Sequence, residues 1–230
     1  MELIQSVDFW IGLLKIIWIN IILSGDNAVV IALAARSLPV EQQSKAVFLG
    51  SGAAVVLRIA LTVVAAKLLE LSFLQIAGGL LLLWIGVQLL SEEEEGDGEV
   101  KEHGSLMVAV RTILIADLVM SLDNVIAVAA AARGSTILLI LGLAISIPLV
   151  IFGSTLMIKL MERFPVIVTL GAGLIGWVGG ETVVGDVALH GVLAANPWLH
   201  YVAAAAGATL VVGLGRTLQN RHGTGQKASI

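Results

Sequence analysis

Seven long apolar runs dictate what this chain can fold into: Phe9–Ala35, Ala46–Ala66, Phe73–Leu90, Leu106–Ala132, Thr136–Ile158, Pro165–Val184 and Trp198–Leu214. A helix needs roughly 20 apolar residues to cross a ~30 Å hydrocarbon core. The runs are continuous and lack the apolar/polar alternation of a barrel strand, so helices follow. Composition agrees. Of 230 residues 58% are hydrophobic and 13% charged, against roughly 45–50% and about 25% in soluble domains. The expected fold is all-α, a polytopic helical membrane bundle of seven spans. With no cysteine and a net charge of −4, disulfides, thiolate metal sites and nucleic-acid binding are excluded. The start, Met1-Glu2-Leu3, has no basic n-region, so span one is read as a retained helix.

Lysine and arginine set the orientation. With seven spans, Arg36, Lys45, Lys101, Arg111, Lys159, Arg163, Arg216, Arg221 and Lys227 share one side, and only Lys67 and Arg133 occupy the other. The positive-inside rule then puts the N-terminus outside and the C-terminus in the cytoplasm. The acidic stretch from Glu92 to Glu99 becomes a cytoplasmic linker.

The chain also repeats itself. Ser24–Arg36 and Ser121–Arg133 are identical at seven of thirteen positions, including Asp26-Asn27 and Asp123-Asn124. Lys67-Leu68-Leu69-Glu70 resembles Lys159-Leu160-Met161-Glu162, and Trp84, Gly86 and Gln88 align with Trp177, Gly179 and Glu181. Composition alone explains the alanines but not the paired Asp-Asn and the arginine nine residues after each asparagine. The organisation is therefore residues 1–90 as one three-helix repeat, 91–105 as the linker, 106–186 as a second repeat, and 187–230 as a seventh helix with a tail. Three spans per repeat is an odd number, so the halves enter the membrane in opposite directions. Secondary transporters share this arrangement, with substrate sites near the midplane.

Asp26 and Asp123 each precede a boundary arginine by ten residues, or about 15 Å of helix, which places both at the midplane. A carboxylate there costs about 2.5–3.5 kcal/mol on insertion scales. Asn20, Ser24 and Asn27 share one stripe, as do Asp117, Ser121 and Asn124. Two helices thus offer carboxylate and amide oxygens to one point, with Glu181 as a third carboxylate. Gly173, Gly176 and Gly180 would let that helix approach a neighbour closely. An all-oxygen set suits hard divalent cations. His103, His190, His200 and His222 fall in loops, at span ends or in the tail. Asn20 serves equally well as helix-to-helix glue. Arg58 in span two is placed to pair with Asp117 or Glu181, and for Asp117 the roles of ion-pair partner, proton relay and ligand stay open. Asp186 is read as a solvated residue of the outer interface. Gly25 favours a loosened helix in the first half; Leu122 argues against one in the second. No Walker A loop, H-E-x-x-H or dinucleotide fingerprint occurs, so neither an enzyme nor an ATP-driven pump is expected.

Ser24-Gly25-Asp26-Asn27-Ala28, Ser121-Leu122-Asp123-Asn124-Val125 and Gly179-Gly180-Glu181 resemble the TerC family of integral membrane proteins, its shorter metal-transport branch, within the LysE-like transporter superfamily. The resemblance covers nearly the whole chain. It implies a multi-pass protein of the bacterial inner membrane that exports Mn²⁺, with no permanently bound cofactor. Expected partners are the divalent cation, the bilayer and, through exchange, protons. The site would be Asp26, Asn27, Asp123 and Asn124, completed by Glu181, with Asp117 as a candidate proton carrier. Tellurite resistance, also attached to the family, is set aside, since carboxylates repel an oxyanion. Two rivals are an exporter of amino acids or other small organic solutes, using Arg58 as its carboxylate-binding cation, and a non-transporting partner in exoenzyme metal supply.

Overall fold

A computed structural model describes residues 7–23, 25–68, 71–91, 105–132 and 136–227, all α-helices and short connections. In chain order the helices are α1 (Val7–Leu23), α2 (Gly25–Arg36), α3 (Val40–Leu68), α4 (Leu74–Ser91), α5 (Leu106–Ala132), α6 (Thr136–Arg163), α7 (Val166–Val184), the short α8 (His190–Ala195) and α9 (Leu199–Lys227). The acidic stretch lies outside the described residues.

Five helices are long and apolar enough to cross a membrane by length and composition: Val40–Thr62, Leu74–Ser91, Ile140–Arg163, Val166–Val184 and Leu199–Gln219. The other two expected passes fall on α1 with α2 and on α5, whose 27 residues carry Arg111, Asp117 and Asp123. Several helices outrun their apolar runs. α3 starts six residues before Ala46, behind Pro39 with Glu41 in its first turn, and α9 continues past Leu214 to Lys227. Hydropathy marks the part of a helix that meets lipid, whereas backbone hydrogen bonding carries the helix on into water. Pro148 sits inside α6, as membrane helices tolerate.

Close approaches fix how the helices run. Gly12 meets Leu138 and Gly142 meets Ile16, so α1 and α6 are parallel. Gly50 meets Ile113 and Arg58 meets Asp117, so α3 and α5 are parallel. α4 and α9 are parallel through Gly86 with Val211 and Gly215 with Leu90. α7 runs antiparallel to α9, with Gly176 at Gly207 and Gly180 at Ala203, and antiparallel to α4, with Gly79 at Val183 and Gly179 at Leu83. These are the directions that seven alternating passes produce. The partners also obey an exchange: α1 and α2 pack on α6 as α5 packs on α3, α2 on α7 as α5 on α4, and α4 faces α7. Swapping the first three passes for the next three maps this set of partners onto itself.

The expectation for the span-six glycines resolves residue by residue. A Cβ on Gly176 would stand 2.5 Å from the Gly207 carbonyl oxygen, and one on Gly180 would strike the Ala203 carbonyl, whereas one on Gly173 would touch only Val212, at 3.4 Å. Backbone cannot yield as a side-chain tip can. Gly180→Ala should therefore lower stability in detergent by about 1–3 kcal/mol. Gly173→Ala should change the melting temperature little, and equal losses at both positions would contradict this packing.

Candidate functional site

In the first half the Asp26-Asn27 pair lies on α2, next to Ser24, which is outside the described residues. α2 is described from Gly25 onward and carries Asp26 near that end. The Asp26 Oδ1 accepts the Asn27 N–H at 2.8 Å. The Asp26 side chain is half-buried and that of Asn27 is buried. In the second half α5 runs unbroken from Leu106 to Ala132, as Leu122 foretold. Asp123 and Asn124 lie on this helix, but their side chains, like those of Asn20 and Ser24, lie outside the described residues. α2 packs against α5, α3 and α6.

Arg58, from α3, meets α5 in the bundle interior. Its Nη2 stands 2.5 Å from the Asp117 Oδ1, and its Nε donates to the Ser121 Oγ at 3.0 Å. Ser121 in turn donates to the Asp117 Oδ2 at 3.1 Å. Arg58, Asp117 and Ser121 are all buried. Of the roles left open, the structure places Asp117 in an ion pair, both oxygens engaged.

Glu181 has partners of its own in the last turn of α7. Its Oε1 accepts the Trp177 Nε1–H at 2.8 Å and lies 3.1 Å from the His200 Nε2 at the start of α9. The side chain is 30% exposed. His200 also lines an open surface depression with His190, Leu193, Ala194, Pro197 and Tyr201. Among the described residues no three His, Asp or Glu side chains converge as a metal-binding group.

Asp186 corrects the sequence reading. It is not a solvated interface residue but 0% exposed. Its carboxylate accepts the N–H groups of Phe73 at 2.9 Å, Gln75 at 3.0 Å, Ile76 at 3.3 Å and Ala188 at 2.9 Å. It therefore caps both the 3₁₀ turn that follows it and the first turn of α4, more than a hundred residues earlier. Burial alone pushes its pKa up; the backbone N–H groups of Ala188, Phe73, Ile76 and Gln75 outweigh this and hold it below the usual carboxylate value.

Helical passes in alternating directions, partners that exchange between halves, and a buried ion pair inside the bundle define an integral membrane protein of transporter-like architecture. The chain belongs to the TerC family: the model described as "Integral membrane protein TerC family" matches residues 5–223. It is 49% identical over 179 residues to the membrane protein YjbE of Bacillus subtilis, covering 78% of this chain and 82% of that one. It is 27% identical over 209 residues to the inner membrane protein YoaE of Escherichia coli, covering 83% of this chain but only 40% of the longer relative. To the E. coli inner membrane protein YgdQ it is 24% identical over 204 residues, 81% of this chain and 86% of that one. No solved structure matches.

Proposed function

We propose that this protein is a secondary transporter of the inner membrane, N-terminus outside and C-terminus cytoplasmic, that exports a divalent metal cation, Mn²⁺ foremost, by alternating access. The observation that carries this reading is Asp26, half-buried on α2, which packs against α3 and α5, the two helices whose ion pair is already complete. Arg58 gives its hydrogen bonds to Asp117 and Ser121, which leaves Asp26 to face a cargo. With Asp123 on the helix against which α2 packs, two carboxylates and the amides of Asn27 and Asn124 make a hard-oxygen set. Emptied of metal, the carboxylates take up protons, which gives H⁺ exchange. The exchangeable packing of the halves supports an inverted duplication around this point. Asp117 then serves structure. Glu181, paired with His200 at the end of α7, belongs to the exit rather than to the central ligand set. The solute-exporter rival needs Arg58 as a cation for a substrate carboxylate, a role its pairing leaves little room for.

The test is Mn²⁺ flux into proteoliposomes with competing Mg²⁺ and Ca²⁺ and an imposed pH gradient. Asp26→Asn and Asp123→Asn, inserted and folded normally, should each reduce flux to the protein-free background. Full Mn²⁺ flux in either variant refutes the site.

A further inference from the structure

We propose that the moving parts of this protein are not its two duplicated halves but two bodies that each draw helices from both: a scaffold of α4, α7 and α9, and a cargo body of α1, α2, α3, α5 and α6. The inference rests on the transporter reading for what moves through the protein, and on packing alone for which helices move together.

The two bodies are held by contacts that cannot slide. In the scaffold, backbone touches backbone. A Cβ on Gly79 would stand 2.6 Å from the Gly179 carbonyl oxygen and one on Gly179 3.1 Å from that of Gly79, while Gly176 and Gly207 meet in the same way across α7 and α9. Asp186, in the turn after α7, clasps the start of α4 with three backbone hydrogen bonds. In the cargo body, the buried Arg58–Asp117 pair joins α3 to α5. Parting those helices leaves two bare charges inside the membrane. α1 also packs along α6, with Gly142 at Ile16; this contact is apolar and adds area rather than a lock. Asp26, Arg58, Asp117 and Asp123 all lie in this body.

The boundary between the bodies is of another kind. Val29 and Leu33 of α2 lie over Gly171 of α7, and Val119 of α5 over Gly78 of α4; both belong to a continuous apolar layer of Val, Leu, Ile and Ala side chains. Apolar contact is non-directional, so such a layer tolerates displacement. One hydrogen bond that crosses it, from the Arg36 Nη2 to the Leu89 carbonyl, is 3.5 Å long, at the limit of a useful bond. The chain passes from α6 to α7 in the short break at Phe164-Pro165, and from α3 toward α4 through Phe73, which holds a left-handed φ of 69°. Rocking of one half against the other would instead tear the Arg58–Asp117 pair and the α1–α6 seam.

The chain has no cysteine, so paired cysteines discriminate cleanly. A Cβ on Gly50 lies 3.3 Å from the Ile113 Cβ, and one on Gly78 lies 3.6 Å from the Val119 Cβ, both near disulfide reach. Both pairs link the first half to the second, but only Gly78→Cys with Val119→Cys links scaffold to cargo body. Oxidising that pair should abolish Mn²⁺ flux, with recovery on reduction, whereas oxidised Gly50→Cys with Ile113→Cys should retain it. Loss of flux in both, or in neither, overturns the proposal. A second readout does not depend on flux. Spin labels at Phe48 and Met107 (both in the cargo body), Trp84 and Leu210 (both in the scaffold), and Met107 and Leu170 (one in each) are compared between pH 5 and pH 8, with and without Mn²⁺. Only the last distance should shift, on the order of one helical turn. A shift between Phe48 and Met107, or no shift anywhere, overturns the two bodies. Absence of flux in the unmodified protein, with the label shift present, refutes the transporter reading instead.

Discussion

Arg58→Gln should destabilise the bundle by about 3–5 kcal/mol, and adding Asp117→Asn should restore most of that loss. The single variant leaves the Asp117 carboxylate buried with only Ser121 to donate to it. The double variant puts two neutral amides, able to hydrogen-bond each other, where the ion pair stood. Asp117→Asn alone strands the guanidinium and should be nearly as damaging. A double-mutant cycle from unfolding in detergent should therefore return a coupling energy at or above the upper end of the usual ~0.5–3 kcal/mol for contacting residues. The same variants address function. If Asp117 serves structure, the double variant transports with its proton coupling intact; if Asp117 carries the proton, the double variant is stable yet transports Mn²⁺ with no response to a pH gradient. Stability and flux thus separate the two roles, which neither measurement does alone.

This pair also shows what sequence can and cannot tell in a membrane bundle. Long apolar runs and mid-depth charges were legible, because lipid penalises every exception to apolarity. So was the Asp-Asn duplication, and Arg58 was narrowed to Asp117 or Glu181. The choice between them lay in helix direction and register. α3 and α5 run parallel with Gly50 at Ile113, which brings Arg58 to Asp117 and Ser121. α7 and α9 run antiparallel with Gly180 at Ala203, which brings Glu181 to His200. Hydropathy carries no such register, since a helix facing lipid and one facing protein are equally apolar. The division into scaffold and cargo body was hidden for the same reason. It depends on where backbones touch, and the small residues that permit this are scattered among glycines that touch nothing.

Asp186 was missed because it caps a helix distant in sequence, so nothing local announces it. The hint is at the other end: α4 begins after Phe73, which has no side-chain oxygen to receive its first N–H groups. Asp186→Ala should strand those donors inside the protein at about 1–3 kcal/mol for each one left unpaired. For the three donors at the start of α4 that is about 3–9 kcal/mol, and the melting temperature should fall on the order of 10 °C or more. Asp186→Asn keeps one acceptor oxygen and should lose about half as much. The pH dependence has a definite sign. The folded carboxyl titrates below its ordinary value, so its stabilisation is complete above the unfolded-chain pKa of about 3.9. It disappears as pH falls from there through the lower folded value. The gap in melting temperature between the unmodified protein and Asp186→Asn should therefore stay constant from pH 7 to about 5 and close below about 4. A gap that persisted undiminished well below that range would mean that Asp186 holds α4 by shape rather than by charge.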